Sequence, residues 1–147
     1  MKILPATPAD AERLQQICLE AKGYWGYPAE FMARWQELVR ITPAYLQRSL
    51  AFKAVDGETV IGWYALVEGY QKCLLDHLWV TPARIGTGVG RALFQHALAQ
   101  SRLTGARVME LEAEPRAVGF YERMGARHIG VLLGGMDREI PLMAVGL

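Results

Sequence analysis

The chain has 147 residues, 52% of them apolar and 21% charged, and a formal net charge of +1 with no run of like charges. A chain of this length buries roughly 68–70% of its unfolded surface, so one domain spanning residues 1–147 holds a core without metal or disulfide. The balanced charge excludes a nucleic-acid or membrane-surface protein, and the longest apolar stretch, Val60 to Val67, falls far short of the ~20 residues of a spanning helix.

Met1 to Thr7 reads as a short strand, and its lysine, two prolines and neighbouring Asp10 replace the apolar run of a secretory leader, so the expected compartment is the cytoplasm. Pro8-Ala9-Asp10 opens a helix whose Leu14, Ile17, Cys18 and Ala21 recur at helical spacing until Gly23. Tyr24-Trp25-Gly26-Tyr27-Pro28 is an aromatic loop. Phe31, Met32, Trp35, Leu38 and Val39 mark a second helix, and Ala44, Tyr45, Leu46 and Leu50 a short third after Pro43.

From Leu50 the period changes. Ala51–Val55, Thr59–Val67 and Cys73–Val80 are three strands of an antiparallel meander, with a turn at Asp56-Gly57-Glu58. A glycine-rich turn then leads into a helix with Val89, Leu93, Phe94, Ala97 and Leu98 on one face, stopped by Gly105. Arg107–Ala113 alternates as a strand, Pro115 starts a short helix capped by Gly125, and His128–Leu133 and Ile140–Leu147 are closing strands. The helical connection makes the fourth and fifth strands parallel, within one mixed sheet carrying helices on its faces. Cys18 and Cys73 have no C-x-x-C spacing and no histidine at ligand spacing, so each reads as a buried thiol and no metal is expected.

The sharpest chemical feature is Arg84-Ile85-Gly86-Thr87-Gly88-Val89-Gly90-Arg91, between a strand and a helix. Alternate glycines remove the Cβ atoms that would keep an anion from the backbone, and the unpaired N–H groups of the helix start point outward. Either the turn binds phosphate, with Arg84 and Arg91 adding charge, or it is only a tight strand-to-helix connection. A Walker A loop fails because no Lys-Ser/Thr follows, and the dinucleotide fingerprint fails because its last glycine falls on Arg91 or Leu93.

Leu78-Trp79-Val80-Thr81-Pro82 followed by Ile85-Gly86-Thr87-Gly88-Val89-Gly90-Arg91-Ala92-Leu93 resembles the acetyl-CoA-binding motif of the GNAT superfamily of N-acetyltransferases. Glu114-Pro115-Arg116-Ala117-Val118-Gly119-Phe120-Tyr121-Glu122-Arg123-Met124-Gly125-Ala126 is similar to the family's second conserved stretch. Two positions depart from the pattern: Ile85 stands where the family has Gln or Arg, and Arg116 where it has Asn. The resemblance implies an α+β GNAT fold, with a central mixed sheet of six to seven strands flanked by about four helices.

It implies a chemistry as well. Acetyl-CoA would lie along Leu78, Trp79 and Val80, with its pyrophosphate on Ile85, Gly86, Thr87, Gly88, Val89, Gly90 and Arg91, and with Arg116 and Tyr121 beside it. A primary amine would attack the thioester directly in a ternary complex. An alkyl amine of pKa ~10.4 is largely protonated at neutral pH, so a base is useful, and the leaving thiolate, ~8.5 as a free thiol, profits from a proton donor. Tyr121 matches the family's tyrosine as the general acid, and adjacent helix positions differ by about 100°, so one of Phe120 and Tyr121 should be buried and the other turned to the cleft. Asp76 or Glu112 is the candidate base, with His77 a third titrating group. Tyr24, Trp25, Tyr27 and Trp35 fall where the family shapes its acceptor pocket, and Asp137, Arg138 and Glu139 precede the last strand within reach of it. The implied acceptor is a small-molecule or peptide amine, including a peptide N-terminus or lysine, and the chain would be a monomer or homodimer. An acyl-CoA-binding sensor without turnover is the reading from another class.

Overall fold

A computed structural model of the protein describes residues 1–136 and 138–147. Strand β1 (Lys2–Pro5) leads through a single 3-10 turn into α1 (Ala11–Gly23), α2 (Ala29–Leu38) and α3 (Pro43–Arg48). The turn is closed by Asp10, whose Oδ2 accepts from the Thr7 amide at 2.8 Å, and α3 starts where Thr42 Oγ1 accepts from the Tyr45 amide at 3.1 Å. The meander follows as β2 (Leu50–Asp56), β3 (Thr59–Gly69) and β4 (Lys72–Val80). Then come α4 (Val89–Leu103), β5 (Val108–Glu112), α5 (Val118–Arg123), β6 (Arg127–Leu133) and β7 (Glu139–Gly146).

The seven strands form one mixed sheet in the order β1-β2-β3-β4-β5-β7-β6, parallel only between β4 and β5. The α+β architecture matches the expected fold, with five α-helices rather than about four because the short third helix after Pro43 is complete. The last strand does not sit at the edge. β7 buries Met143 and Ala144 and is drawn between β5 and β6, whereas every residue of β6 is exposed.

Two apolar layers cover the sheet. Tyr64, Leu66, Leu93, Phe94, Met109 and Leu111 pack on the α4–α5 face, and Leu14, Ile17, Trp35, Leu46, Trp63 and Ala65 on the α1–α3 face. Because β3 is covered on both sides, Ile61 to Leu66 is a continuous apolar run instead of an alternation. Cys18 and Cys73 are buried free thiols, one in each layer. Gly62 lets the start of α4 sit down on the sheet, since a Cβ there would come 2.8 Å from the Trp79 carbonyl and 3.0 Å from Leu93. Among the described residues no helix is long and apolar enough to cross a membrane.

Candidate active site

β4 and β5 are paired only from Lys72–Val108 to Leu75–Leu111. Immediately beyond, the β3–β4 register slips: Leu66 faces Leu75 and Ala65 faces His77, leaving Asp76 as an extra residue with no partner on β3. Such a bulge bends its strand and re-aims a side chain. From His77 onward β4 pairs with β3 alone, while Glu112 of β5 pairs with Leu142 of β7. The two parallel strands part here, and two cavities meet in the gap. Leu75, Asp76, His77, Trp79, Glu112 and Glu114 line both.

The first cavity, about 580 Å³, runs from this junction along Leu78, Trp79 and Val80 to the glycine turn and is closed by α5. Gly86 and Gly88 have φ of +79° and +92°, and a Cβ on either would meet no atom within 4 Å, so both leave open space above the turn. The first backbone bond into α4 is Ala92 N–H to the Gly88 carbonyl at 3.1 Å, which leaves the N–H groups of Val89, Gly90 and Arg91 aimed outward. An open cradle, a helix start and the unpaired side of β4 fit a diphosphate carrying an amide-bearing arm.

Ile85, Gly86, Gly88, Gly90, Arg91, Arg116 and Tyr121 line this cavity, as do Leu78 to Val80, but Thr87 and Val89 do not. The Thr87 hydroxyl donates to the Arg84 carbonyl at 2.5 Å, and Val89 is buried in the core. Arg84 also lines it, with Nη2 on Asp56 at 2.8 Å. Arg116 donates from Nη1 to the Trp25 carbonyl at 2.5 Å and lies over the Tyr27 ring, bridging the α1–α2 loop to the β5–α5 connection. Tyr121 and Phe120 both line the wall. Tyr121 is 9% exposed, and burial, with the charge of Glu114, pushes its phenol well above the ordinary tyrosine range. Its hydroxyl makes no hydrogen bond to the described residues, and the residue lines the cavity wall.

The second cavity, about 540 Å³, lies between the end of α2 and the β6–β7 connection. At its junction end Asp76 accepts a short hydrogen bond from the Tyr45 hydroxyl, whose proton is held firmly by burial and by that carboxylate. His77 is stacked on Trp63, and its Nδ1 accepts from Trp79 Nε1 at 2.9 Å. An indole nitrogen only donates, so the ring proton sits on Nε2, 3.8 Å from Asp76 Oδ2. Burial holds His77 below the ordinary histidine range, and neither of its nitrogens presents a lone pair to the junction. Glu112 is exposed at the end of β5 and faces both cavities.

Of the four aromatic residues expected at the acceptor, Trp35 lines this second cavity, edge-on to Trp79. Trp25 lines the first cavity. Tyr24 is 53% exposed and lines neither. Tyr27 stacks on Phe31 and donates from its hydroxyl to Glu114 at 2.6 Å. Arg138 lines the second cavity, Glu139 does not, and Asp137 lies outside the described residues.

Sequence reasoning passed over Lys22, Arg40, Tyr45 and Glu114. Lys22 lies four residues after Cys18 on the apolar face of α1, which was the available signal, and its ammonium meets Glu114 at 2.5 Å. Tyr45 and Arg40 carry no local pattern that marks them; only the fold brings them to the cavity.

The sequence model of the Acetyltransferase (GNAT) family matches residues 11–126, from the first residue of α1 to the turn after α5. This chain belongs to the GNAT family. Members of the family draw on acetyl-CoA. A curated relative, the peptidyl-lysine N-acetyltransferase YjaB of Escherichia coli (strain K12), is 30% identical over 102 residues, which span 69% of this chain and 64% of that protein. The GCN5-related N-acetyltransferase structure from Rhodopseudomonas palustris superposes with a TM-score of 0.82 at 18% identity, covering 99% of this chain and 95% of that one. The PaiA N-acetyltransferase of Thermoplasma acidophilum, solved in complex with coenzyme A, covers 100% of both chains with a TM-score of 0.78 at 20% identity. At such identities the structures share the GNAT fold with this chain.

Proposed function

We propose that this chain is an N-acetyltransferase that moves the acetyl group of acetyl-CoA onto a primary amine. The observation that carries this reading is the junction itself: the cradle cavity and a second, charged cavity open on the same three carboxylates where β4 and β5 part. Acetyl-CoA, when bound, supplies a thioester that an amine attacks directly in a ternary complex. The residues that would hold it are the backbone of Gly86 to Arg91, the free edge of Leu78 to Val80, and Arg116.

The chain's own groups divide the proton work. Asp76, re-aimed by the bulge and held by Tyr45, receives the proton of the arriving ammonium, with Glu112 the other carboxylate at the junction. Tyr121 keeps a proton at its hydroxyl on the cofactor side, and burial maintains it there at neutral pH. Phe120 and Tyr121 of α5 form a wall of the same space.

Thiol release from acetyl-CoA across a panel of primary amines tests the reading, alongside melting curves with CoA, NAD and ATP. Release with some amines, and stabilisation by CoA compounds alone, is the expected result. Stabilisation by CoA with no release from any amine favours a non-catalytic acyl-CoA sensor, and equal stabilisation by NAD overturns the cofactor assignment. A peptidyl-lysine acceptor is the second reading, favoured by the activity of the Escherichia coli relative, a peptidyl-lysine N-acetyltransferase.

A further inference from the structure

The charges lining the second cavity are unevenly shared with the cofactor cavity. Asp76, Glu112 and Glu114 line both, and of these Glu114 is engaged by Lys22 and Tyr27, which leaves Asp76 and Glu112 as the carboxylates open to an acceptor at the junction. Arg40, just beyond α2, and Arg138, just before β7, line the second cavity alone. The other cation of that cavity, Lys22, is already taken up by Glu114 at 2.5 Å. Arg138 is pre-positioned: Nη1 donates to Tyr27 Oη at 2.7 Å, and the guanidinium lies 5.3 Å from the Tyr27 centroid and 5.0 Å from that of Phe31. Its ion pair with Glu114 is long, at 3.8 Å, so among the described residues only Nη1 makes a hydrogen bond. Arg40 makes no hydrogen bond or ion pair with the described residues. Between the two ends the walls are apolar, from Trp35, Leu38, Val39 and Met136.

We propose that the acceptor is a small zwitterion, an amine that also carries a carboxylate, bound with its ammonium toward Asp76 and Glu112 and its carboxylate toward Arg40 and Arg138. This deepens the acetyl-transfer reading and rests on it for the position of the amine. A guanidinium fork matches a carboxylate in a plane, and in a partly closed cavity that contact is stronger than at an open surface. A plain alkyl amine leaves Arg40 without a counter-charge and Arg138 with only its long contact to Glu114 among the described residues. A lysine side chain of a peptide brings only methylenes to the outer end of the cavity.

The test uses matched sets of an α-amino acid with an apolar side chain, its carboxamide and the corresponding decarboxylated amine. Each is given to the full chain in two assays: the melting-temperature shift in the presence of CoA, which reads acceptor binding without reaction, and thiol release with acetyl-CoA. The carboxylate member is expected to bind about tenfold tighter or better than the other two, and the preference is expected to collapse in Arg40→Gln, whose exposed side chain is replaced without disturbing the core. Equal or better binding of the carboxamide, the decarboxylated amine or a lysine peptide overturns the zwitterion. So does a preference that survives both Arg40→Gln and Arg138→Gln. Selective binding without any thiol release supports the zwitterion and overturns the transfer reading, so the two fail separately.

Discussion

Lys22, in the last turn of α1, and Glu114, two residues beyond β5, form a buried ion pair of 2.5 Å that ties the first helix to the mouth of the split sheet. Lys22 is 3% exposed and looks onto the faces of Tyr27, Phe31 and Trp35 at 4.9, 5.8 and 5.5 Å. The pair is asymmetric. Burial pulls the lysine below its ordinary range despite its partner, whereas Glu114, also raised by burial, is held below the carboxylate range because Lys22, Tyr27 and the Arg116 amide all bond to its charged form. Glu114 is thus satisfied from several sides, and Lys22 from one.

Glu114→Gln should therefore cost more than Lys22→Met. The first strands a buried ammonium whose remaining neighbours are aromatic rings, and the expected loss is about 3–5 kcal/mol. The second leaves Glu114 with the Tyr27 hydroxyl at 2.6 Å and Arg138 at 3.8 Å, so its loss should be smaller. Urea unfolding of both variants measures the difference. The acid side has a definite sign: a carboxyl depressed in the native state stabilises above its unfolded range and loses that contribution as pH falls through the native value. The wild-type protein should lose more stability than Glu114→Gln between neutral pH and the acid end of that range; parallel curves would contradict the pairing.

Gly88→Val tests the cradle. At φ +92° a β-branched residue is strained, with a cost on the order of 1–2 kcal/mol, but its Cβ would meet nothing within 4 Å in the protein. The side chain would project into the space where a diphosphate would approach. CoA affinity, measured by calorimetry on the folded variant, should fall by much more than stability does; unchanged affinity would make the turn purely structural.

The fold was legible because its signals are local. The period-2 run of Arg107–Ala113, the helical face of Val89 to Leu98 and the glycine punctuation at Gly23 and Gly105 all act within a few residues. The glycine turn was legible for the same reason. The bulge at Asp76 was not, because the residues around it alternate plausibly in either register and only pairing with β3 exposes the slip. The aromatic loop was legible as a feature but not in its detail: Tyr24-Trp25-Gly26-Tyr27 reads as four neighbours, and the turn sends Trp25 to one cavity, Tyr27 to Glu114 and Tyr24 to solvent. Contacts such as Tyr45 to Asp76 span 31 residues, and no spacing rule reaches that far.

That contact separates the two candidate bases. If Asp76 takes the proton, Asp76→Asn should lower kcat by roughly 10²–10⁴ while Glu112→Gln, whose carboxylate has no hydrogen-bond partner among the described residues to hold it, should not. Tyr45→Phe removes the donor that holds the carboxylate, and a hydrogen bond to a charged group corresponds to a loss of about tenfold or more. A positioning role predicts that the Tyr45→Phe loss falls on kcat with KM and CoA affinity preserved. Losses in Glu112→Gln with none in Asp76→Asn would assign the base to Glu112.

Tyr121→Phe distinguishes transfer from mere binding. The hydroxyl makes no hydrogen bond to the described residues, so its removal leaves no polar partner stranded, and the ring keeps its contacts with Phe94 and Phe120 at 5.9 and 5.2 Å. Melting temperature and CoA affinity should accordingly change little. Turnover should fall by roughly 10²–10⁴, the contribution of a positioned acid. Because burial holds the phenol above its ordinary range, the rate of the wild-type protein should show no loss from tyrosine ionisation below pH ~10. If the hydroxyl took no part in the chemistry, the variant would keep its single-turnover rate. Measuring unfolding and single turnover on one preparation gives both numbers at once, and a normal rate with a lowered melting point would remove Tyr121 from the chemistry.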